Sequence, residues 1–266
     1  MKNKKLFIKI LFLLTASLIV LYPGCGEDTI NNNGGTGSGG WHPNFNFVVN
    51  QRFVYTNDSL HPIPPGGTTR TRKGTTLTIN DTAFIAGQYC YPFIGNTYDT
   101  ATNQNIVEQY YFRYDQAAGK YYQLGIRQLI DTTQPETWDL VGDFDLPRNT
   151  SYFIGTISYT IPLPPPFNNV VFSGPLNGKV LDSVLIQSTG NPPQQIPCYP
   201  IELKANISGT VSGQTITAEI ILMYYLGYST PTGIVELKLS PFSFYLLGNA
   251  ILNEPGFDRK IFSHTP

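Results

Sequence analysis

Charge and histidine are scarce in this chain, and several chemistries are excluded with them. Only 13% of the residues are charged, and three histidines occur, His42, His61 and His264. None neighbours the serine, cysteine or carboxylate patterns that build a catalytic triad or a zinc site. A glycine-rich phosphate cradle is missing. Beyond the N-terminus no apolar run is long enough to cross a bilayer as a helix, and no convincing amphipathic helical period appears. What is present is Thr, Asn, Gln and Tyr, with 17 tyrosines and 16 phenylalanines punctuated by 25 glycines and 21 prolines. That balance of β-forming residues and breakers predicts an all-β, extracytoplasmic protein.

The first 24 residues read as an export signal: Lys2, Lys4 and Lys5 form a charged start, and an apolar run follows from Leu6 to Tyr22. Lys9 interrupts the run, whose length also admits an uncleaved membrane anchor. The run ends at Gly24-Cys25, a small residue followed by cysteine. This resembles the lipobox of bacterial lipoproteins, in which the cysteine thiol takes up a diacylglycerol and becomes the mature N-terminus. By that resemblance Cys25 is the lipidation site, although Leu21 stands one position earlier than the pattern has its leucine. An ordinary secretory signal with an incidental cysteine is the alternative. Residues 25–40 are then the lipidated cysteine and a flexible linker of Gly, Asn, Thr and Ser that has almost nothing to bury. In the lipoproteins this resembles, aspartate after the cysteine retains the protein at the inner membrane. Gly26 stands there instead, and Glu27-Asp28 resembles the acidic segment of some surface-exposed members. The resemblance therefore implies outer-membrane residence, periplasmic or surface-exposed, with the membrane as partner through the N-terminal lipid.

The signal also removes four of the 17 basic residues, leaving 13 against 18 acidic and a net charge of −5. A chain of that sign offers no basic field for a phosphate backbone, so no nucleic acid partner is expected. The single basic cluster, Arg70, Arg72 and Lys73, reads as a solvated strand or loop. If Cys25 is acylated, Cys90 and Cys198 remain as an even pair in an oxidising compartment. Two readings stay open for them, a disulfide or two thiols buried separately.

Cys90 and Cys198 also belong to an internal echo. Tyr110-Tyr111-x-x-Tyr114-x4-Gly119 returns 114 residues later as Tyr224-Tyr225-x-x-Tyr228-x4-Gly233. Cys90-Tyr91-Pro92 returns after 108 residues at Cys198, and Pro62-x-Pro64-Pro65 after 100 at Pro162. A displacement that grows steadily is that of two copies whose second has gained loop residues. The expected division is a first β repeat over 41–130, a connector over 131–145 and a second repeat over 146–266. Predicted strands run 47–56, 75–80, 89–94, 106–114 and 121–126 in the first repeat. They run 151–159, 180–187, 199–207, 215–225 and 234–239 in the second, with 242–247 added. Antiparallel meanders packed as one barrel-like or sandwich body follow. Ile216 to Tyr224 alternates with Thr215 to Met223, wet on one face at first and apolar on both at the end, which predicts a deeply covered C-terminal half of that strand. The Pro-Glu before Trp138 predicts a short helix in the connector.

Candidate sites are correspondingly few. Tyr110, Tyr111, Tyr114, Tyr224, Tyr225 and Tyr228 read first as strand-end packing residues and, alternatively, as aromatics facing a ligand. The acidic group Asp139, Asp143 and Asp145 is a weak calcium candidate whose spacing better fits loop carboxylates. No catalytic residue, metal or cofactor is expected. The lipobox-like signal, polar linker, Phe47-x5-Phe53-Val54-Tyr55 opening and repeated β segments together resemble uncharacterised lipoproteins of Gram-negative bacteria. That resemblance implies a non-enzymatic, tethered module interacting with a protein, a glycan or a small molecule. The alternatives are a lipid or lipoprotein carrier with a hydrophobic groove, and a glycan hydrolase with carboxylates facing across a cleft.

Overall fold

The computed structural model describes residues 42–61, 67–71, 73–99, 103–129, 134–161, 169–211, 213–229, 232–246 and 249–265. The signal, Cys25, the linker and both proline-rich segments lie outside the described residues. Among these residues the only helical piece is a 3-10 turn at Arg127–Leu129, and no helix is long and apolar enough to cross a membrane.

Twelve strands carry the architecture, in two meanders. The first comprises β1 (Arg52–His61), β3 (Lys73–Ile79), β5 (Gln88–Asp99), β6 (Gln104–Asp115), β7 (Lys120–Leu124) and β8 (Trp138–Asp143). The second comprises β9 (Ser151–Ile161), β10 (Val170–Val180), β12 (Gln195–Val211), β13 (Gln214–Tyr228), β14 (Thr232–Leu239) and β17 (Gly256–Thr265). Every neighbouring pair is antiparallel, and β17 pairs with β1, so the two meanders form one sheet. The remaining strands are short additions: β2 (Gly67–Thr71), β4 (Ala83–Ile85), β11 (Val184–Gln187), β15 (Phe242–Leu246) and β16 (Asn249–Glu254). The sheet is nearly closed as a barrel.

The repeat is visible in the register. Pro92 stands opposite Tyr111 and Phe93 opposite Tyr110, while in the second meander Pro200 stands opposite Tyr225 and Ile201 opposite Tyr224. Cys90 faces Ala83 of β4, and Cys198 faces Val184 of β11. Each meander therefore pairs its Cys-Tyr-Pro strand with its Tyr-Tyr strand at the same offset. The two motif glycines differ in place: Gly119 has φ +62° in the β6–β7 turn, whereas Gly233, φ +137°, lies inside β14 opposite Gly227.

Inward faces of both meanders share one apolar interior, with Phe53, Phe93, Phe112, Tyr121, Ile157, Phe172, Ile201, Leu203, Leu226 and Phe244 fully buried. β13 follows its alternation as expected, with every second residue from Ile216 to Leu226 buried. Chain before β1 is a plug and not the strand predicted from Phe47: Phe45 sets its ring 4.9 Å from Tyr114 and 5.4 Å from Phe144, and Phe47 lies 5.0 Å from Tyr91. A turn at Val48–Gln51, with Asn50 at φ +69°, then leads into β1.

Two expectations are corrected. Residues 138–143 form the sixth strand of the first meander, where a connector with a short helix was predicted; Leu124 opposite Trp138 and Lys120 opposite Asp143 hold them in the ladder. β10 was largely overlooked because Gly174, Pro175 and Gly178 punctuate it. Its ladder to β12 passes over Gly174 and Pro175, which tolerates a proline there.

β8 and β9 are the sheet's two free edges, and side chains seal the gap between them. The Tyr152 hydroxyl donates to Val141 O, and Arg127 fills space that Gly155 leaves open, since a Cβ there would lie 2.9 Å from Arg127 Cδ. Strand pairs β3–β5 and β10–β12 each approach closely at one glycine. A Cβ on Gly95 would sit 1.6 Å from Thr76 O, and one on Gly174 1.9 Å from Asn206 O. Gly95→Ala and Gly174→Ala should each destabilise the protein by about 1–3 kcal/mol, because backbone would have to move. The midpoint of denaturant unfolding, read by far-UV circular dichroism, checks this.

Candidate functional site

Strand alternation places the six repeated tyrosines in three equivalent pairs. Tyr110 and Tyr224 point into the barrel, and burial pushes both phenols up, Tyr110 to about 12. The Tyr224 hydroxyl crosses the interior to donate to Gln123 Oε1 at 2.8 Å. Tyr114 and Tyr228 close the lower end, where β1 begins. They are linked through Phe144 and Tyr199, with successive ring centroids 6.3, 5.7 and 4.5 Å apart, and the Arg148 guanidinium lies 4.6 Å above Tyr199. Tyr111 and Tyr225 face outward, and each lies beneath a flap.

The flaps are the tips of the β4–β5 and β11–β12 hairpins, folded back over the outside of the sheet. The first crosses Tyr111, whose phenol is raised by burial and then by neighbouring Cys90 and Glu136, and reaches β8, where Trp138 Nε1 donates to Ile85 O at 3.2 Å. The second crosses Tyr225 and reaches β17 and β1: Thr189 N donates to Ile261 O at 2.8 Å, and Thr189 Oγ1 lies 3.0 Å from Thr56 Oγ1. Cys90 and Cys198 sit at the two bends as free thiols, each bonded to a carbonyl of its own hairpin, Ala83 O and Ile196 O. In this structure the two thiols are buried apart, each within its own hairpin. Burial pushes the thiols to about 11 and about 12, so both are protonated at neutral pH. Neither should react with a maleimide until the chain unfolds, which mass spectrometry with and without denaturant checks.

The carboxylates of the weak metal candidate are held apart by separate basic partners. Asp139 accepts from Arg127 Nε at 2.8 Å and from Arg127 N at 3.1 Å, Asp143 lies 3.5 Å from Lys120 Nζ, and Asp145 lies 3.5 Å from His42 Nε2. Among the described residues no group of His, Cys, Asp and Glu is arranged to hold a metal.

The strongest polar constellation is one that sequence reasoning missed. Five adjacent strands, β17, β1, β3, β5 and β6, each turn one polar side chain inward in a closed ring. Arg259 Nε donates to Asn57 Oδ1 at 2.9 Å, Asn57 Nδ2 to Thr75 Oγ1 at 2.8 Å, and Thr75 meets Thr97 at 2.5 Å. Thr97 donates to Glu108 Oε1, and Arg259 closes the ring with bonds of 2.7 and 3.0 Å to the two Glu108 oxygens. The Tyr110 hydroxyl donates to Glu108 Oε2 at 2.9 Å. Burial alone would raise the Glu108 carboxyl, but the Arg259 charge and these hydrogen bonds hold it below the ordinary carboxylate value. One signal was present in the sequence: Glu108 occupies the inward parity of Tyr110, Phe112 and Tyr114, where an unpaired acid could not stay.

A second charged group lies on the outer face. Glu236 stands opposite Lys260 and Asp258 opposite Lys238 on β14 and β17, with Glu236 Oε2 3.1 Å from Lys260 Nζ. Burial raises both carboxyls, with Asp258 adding to it at Glu236 and Asp58 at Asp258, and the charges of Lys260 and Lys238 only partly offset it.

No family model and no curated protein matches this chain. Two solved structures resemble it. One is a candidate lipoprotein from Parabacteroides distasonis, at 8% identity and TM-score 0.46, covering 85% of this chain and 99% of that one. The other is a candidate exported protein with a YmcC-like fold from Bacteroides fragilis, at 8% identity and TM-score 0.41, covering 86% of this chain and 100% of that one.

The signs of the two carboxylate environments are opposite. Glu108, held low, contributes stability that is present above the ordinary carboxylate pKa and lost as pH falls through its folded value. Glu236 and Asp258, held high, contribute stability that is present in acid and lost as pH rises. Glu108→Gln leaves Arg259 buried without its counter-charge and should cost about 3 kcal/mol at neutral pH. It should also flatten the acid limb of a plot of stability against pH, measured by urea unfolding.

Proposed function

We propose that the protein is a cell-envelope lipoprotein, lipidated at Cys25 and held at the outer membrane, whose barrel works by surface recognition and not by catalysis or by carrying cargo. The observation that supports this reading best is the occupied interior. Inward positions of both meanders are filled by the protein's own rings and aliphatic chains, and its inward charges are taken up by one another. A carrier of acyl chains needs that space for its ligand. A hydrolase needs two carboxylates separated by the width of a glycosidic bond. Here Glu236 and Asp258 lie on neighbouring strands with a lysine opposite each, and Glu108 and Asp139 are tied to arginines. Buried phenols and thiols raised in pKa are poor nucleophiles at neutral pH. Recognition by the outer surface is what the chemistry leaves, with a protein, glycan or small-molecule partner, and the two flaps are its most prominent features.

The tether has a direct test. In a Gram-negative host the full chain should incorporate labelled palmitate and fractionate with the outer membrane, whereas Cys25→Ala should lose the label and move to the soluble periplasmic fraction. Equal membrane association of the two forms would refute lipid anchoring at Cys25.

A further inference from the structure

We propose that the first flap, Ala83–Cys90, is a membrane-contacting element that rests in the interface of the lipid surface to which the chain is tethered. This rests on the tethering read above.

Three observations carry it. The hairpin ends in a two-residue turn at Ala86 and Gly87, with φ of +48° and +76°, and sets Phe84 opposite Tyr89. Their rings meet edge to face at 5.0 Å and stay 63% and 72% exposed, although each is large and apolar. Ala83 and Cys90 occupy the hairpin's other face, so the aromatic pair points away from the barrel. A phenylalanine beside a tyrosine suits the boundary between acyl chains and headgroups, the tyrosine hydroxyl keeping water while the rings leave it.

The second observation is charge. From Thr82 to Tyr98 the sequence holds no acidic or basic residue. An uncharged aromatic tip offers nothing for an electrostatically steered protein partner and carries no charge to desolvate at a bilayer.

The third is where the tether enters. Sixteen residues separate Cys25 from His42, and a chain of that length and composition reaches about 20 Å on average. His42 Nδ1 lies 3.2 Å from Gln116 O in the β6–β7 turn, and a Cβ on Gly119 would touch the His42 ring. The flap crosses the outside of the same β6 at Tyr111, four residues above Asp115, or about 13 Å at the rise of a strand. A lipid at Cys25 therefore holds the bilayer within reach of the flap, whose Phe84 and Tyr89 present two exposed aromatics side by side; Phe153 of β9 is the other aromatic as exposed among the described residues.

The test supplies the tether chemically, so that its outcome does not depend on whether cells acylate Cys25. The chain from Cys25 retains every residue of the apolar core, and its two other cysteines are buried, so Cys25 alone couples to a maleimide headgroup lipid in phosphatidylethanolamine and phosphatidylglycerol vesicles. Phe84→Trp reports the flap, with the unsubstituted protein as the background of Trp41 and Trp138. Once coupled, the added tryptophan should shift to the blue and lose roughly half its emission to lipid brominated near the glycerol end of the acyl chain. Adding Tyr89→Ser should reduce both effects, with the unfolding midpoint confirming the fold of each variant. No shift and no quenching at complete coupling overturns the proposal. So does a dimer in sedimentation velocity that buries the same tryptophan without lipid, since the pair would then meet a second copy of the chain.

Discussion

The pairing of the last strand with the first is the constraint on which the rest depends. Nine residues of β1, from Arg52 to Leu60, find partners on β17, and this ladder turns two six-stranded meanders into a single sheet. Either meander alone would keep two edges and a bare apolar face. Joined, they leave only β8 and β9 as edges, and these are consecutive in the chain, so residues 144–150 bring them together. The inner faces then serve one another. Tyr224 of the second meander has its hydroxyl partner in Gln123 of the first, and a Cβ on Gly142 of β8 would lie 2.7 Å from Ile201 Cδ1 of β12.

Shared interiors raise a question of register, because a slip of one residue exchanges the faces of a strand. In the second meander long apolar alternation settles it, as along Ile216 to Leu226. The first meander has shorter apolar stretches, and there the polar ring does the same work. Were β6 to shift by one, Gln109 would replace Glu108 and Arg259 would lose its counter-charge in a low-dielectric interior. Such a pair adds little net stability once its desolvation is counted, but breaking it is expensive. Arg259 and Glu108 thus act mainly against alternatives, fixing β17, β1, β3, β5 and β6 relative to one another.

Much of this was legible in the sequence, for identifiable reasons. The echo of Cys-Tyr-Pro and Tyr-Tyr-x-x-Tyr carried the pairing register because both motifs lie within ladders, where a fixed offset is a physical distance. The all-β class and the covered end of β13 followed from period-two alternation. β10 escaped because Gly174, Pro175 and Gly178 read as breakers while its ladder to β12 merely passes over Pro175, and β8 because Pro-Glu is a helix-start signal that neighbouring strands overrule. Phe47 was read into the first strand, whereas with Phe45 it packs against the barrel's mouth and lies in no ladder. The polar ring was half legible: Glu108 places an acid at an inward position of its strand, yet Arg259 lies 151 residues away, and only the β17–β1 pairing brings it near.

The two flaps show how one scaffold takes on different tasks. Each is an uncharged stretch, 82–98 in the first repeat and 183–201 in the second, and each covers an outward tyrosine. The second is longer and bound at its far end, by Thr189 to Ile261 and Thr56, and Ile196 and Cys198 are buried beneath it. Ile196 and Cys198 thus cover the outer face of the second meander, while Val184 and Leu185 on the hairpin's other strand stay exposed. The first is short, and its Trp138 bond to Ile85 O reaches only backbone, so its largest side chains, Phe84 and Tyr89, have no surface of the barrel left to cover. The same fold therefore gives a flap pinned at its far end on one meander and a presented aromatic tip on the other, and what separates them is the length of the hairpin.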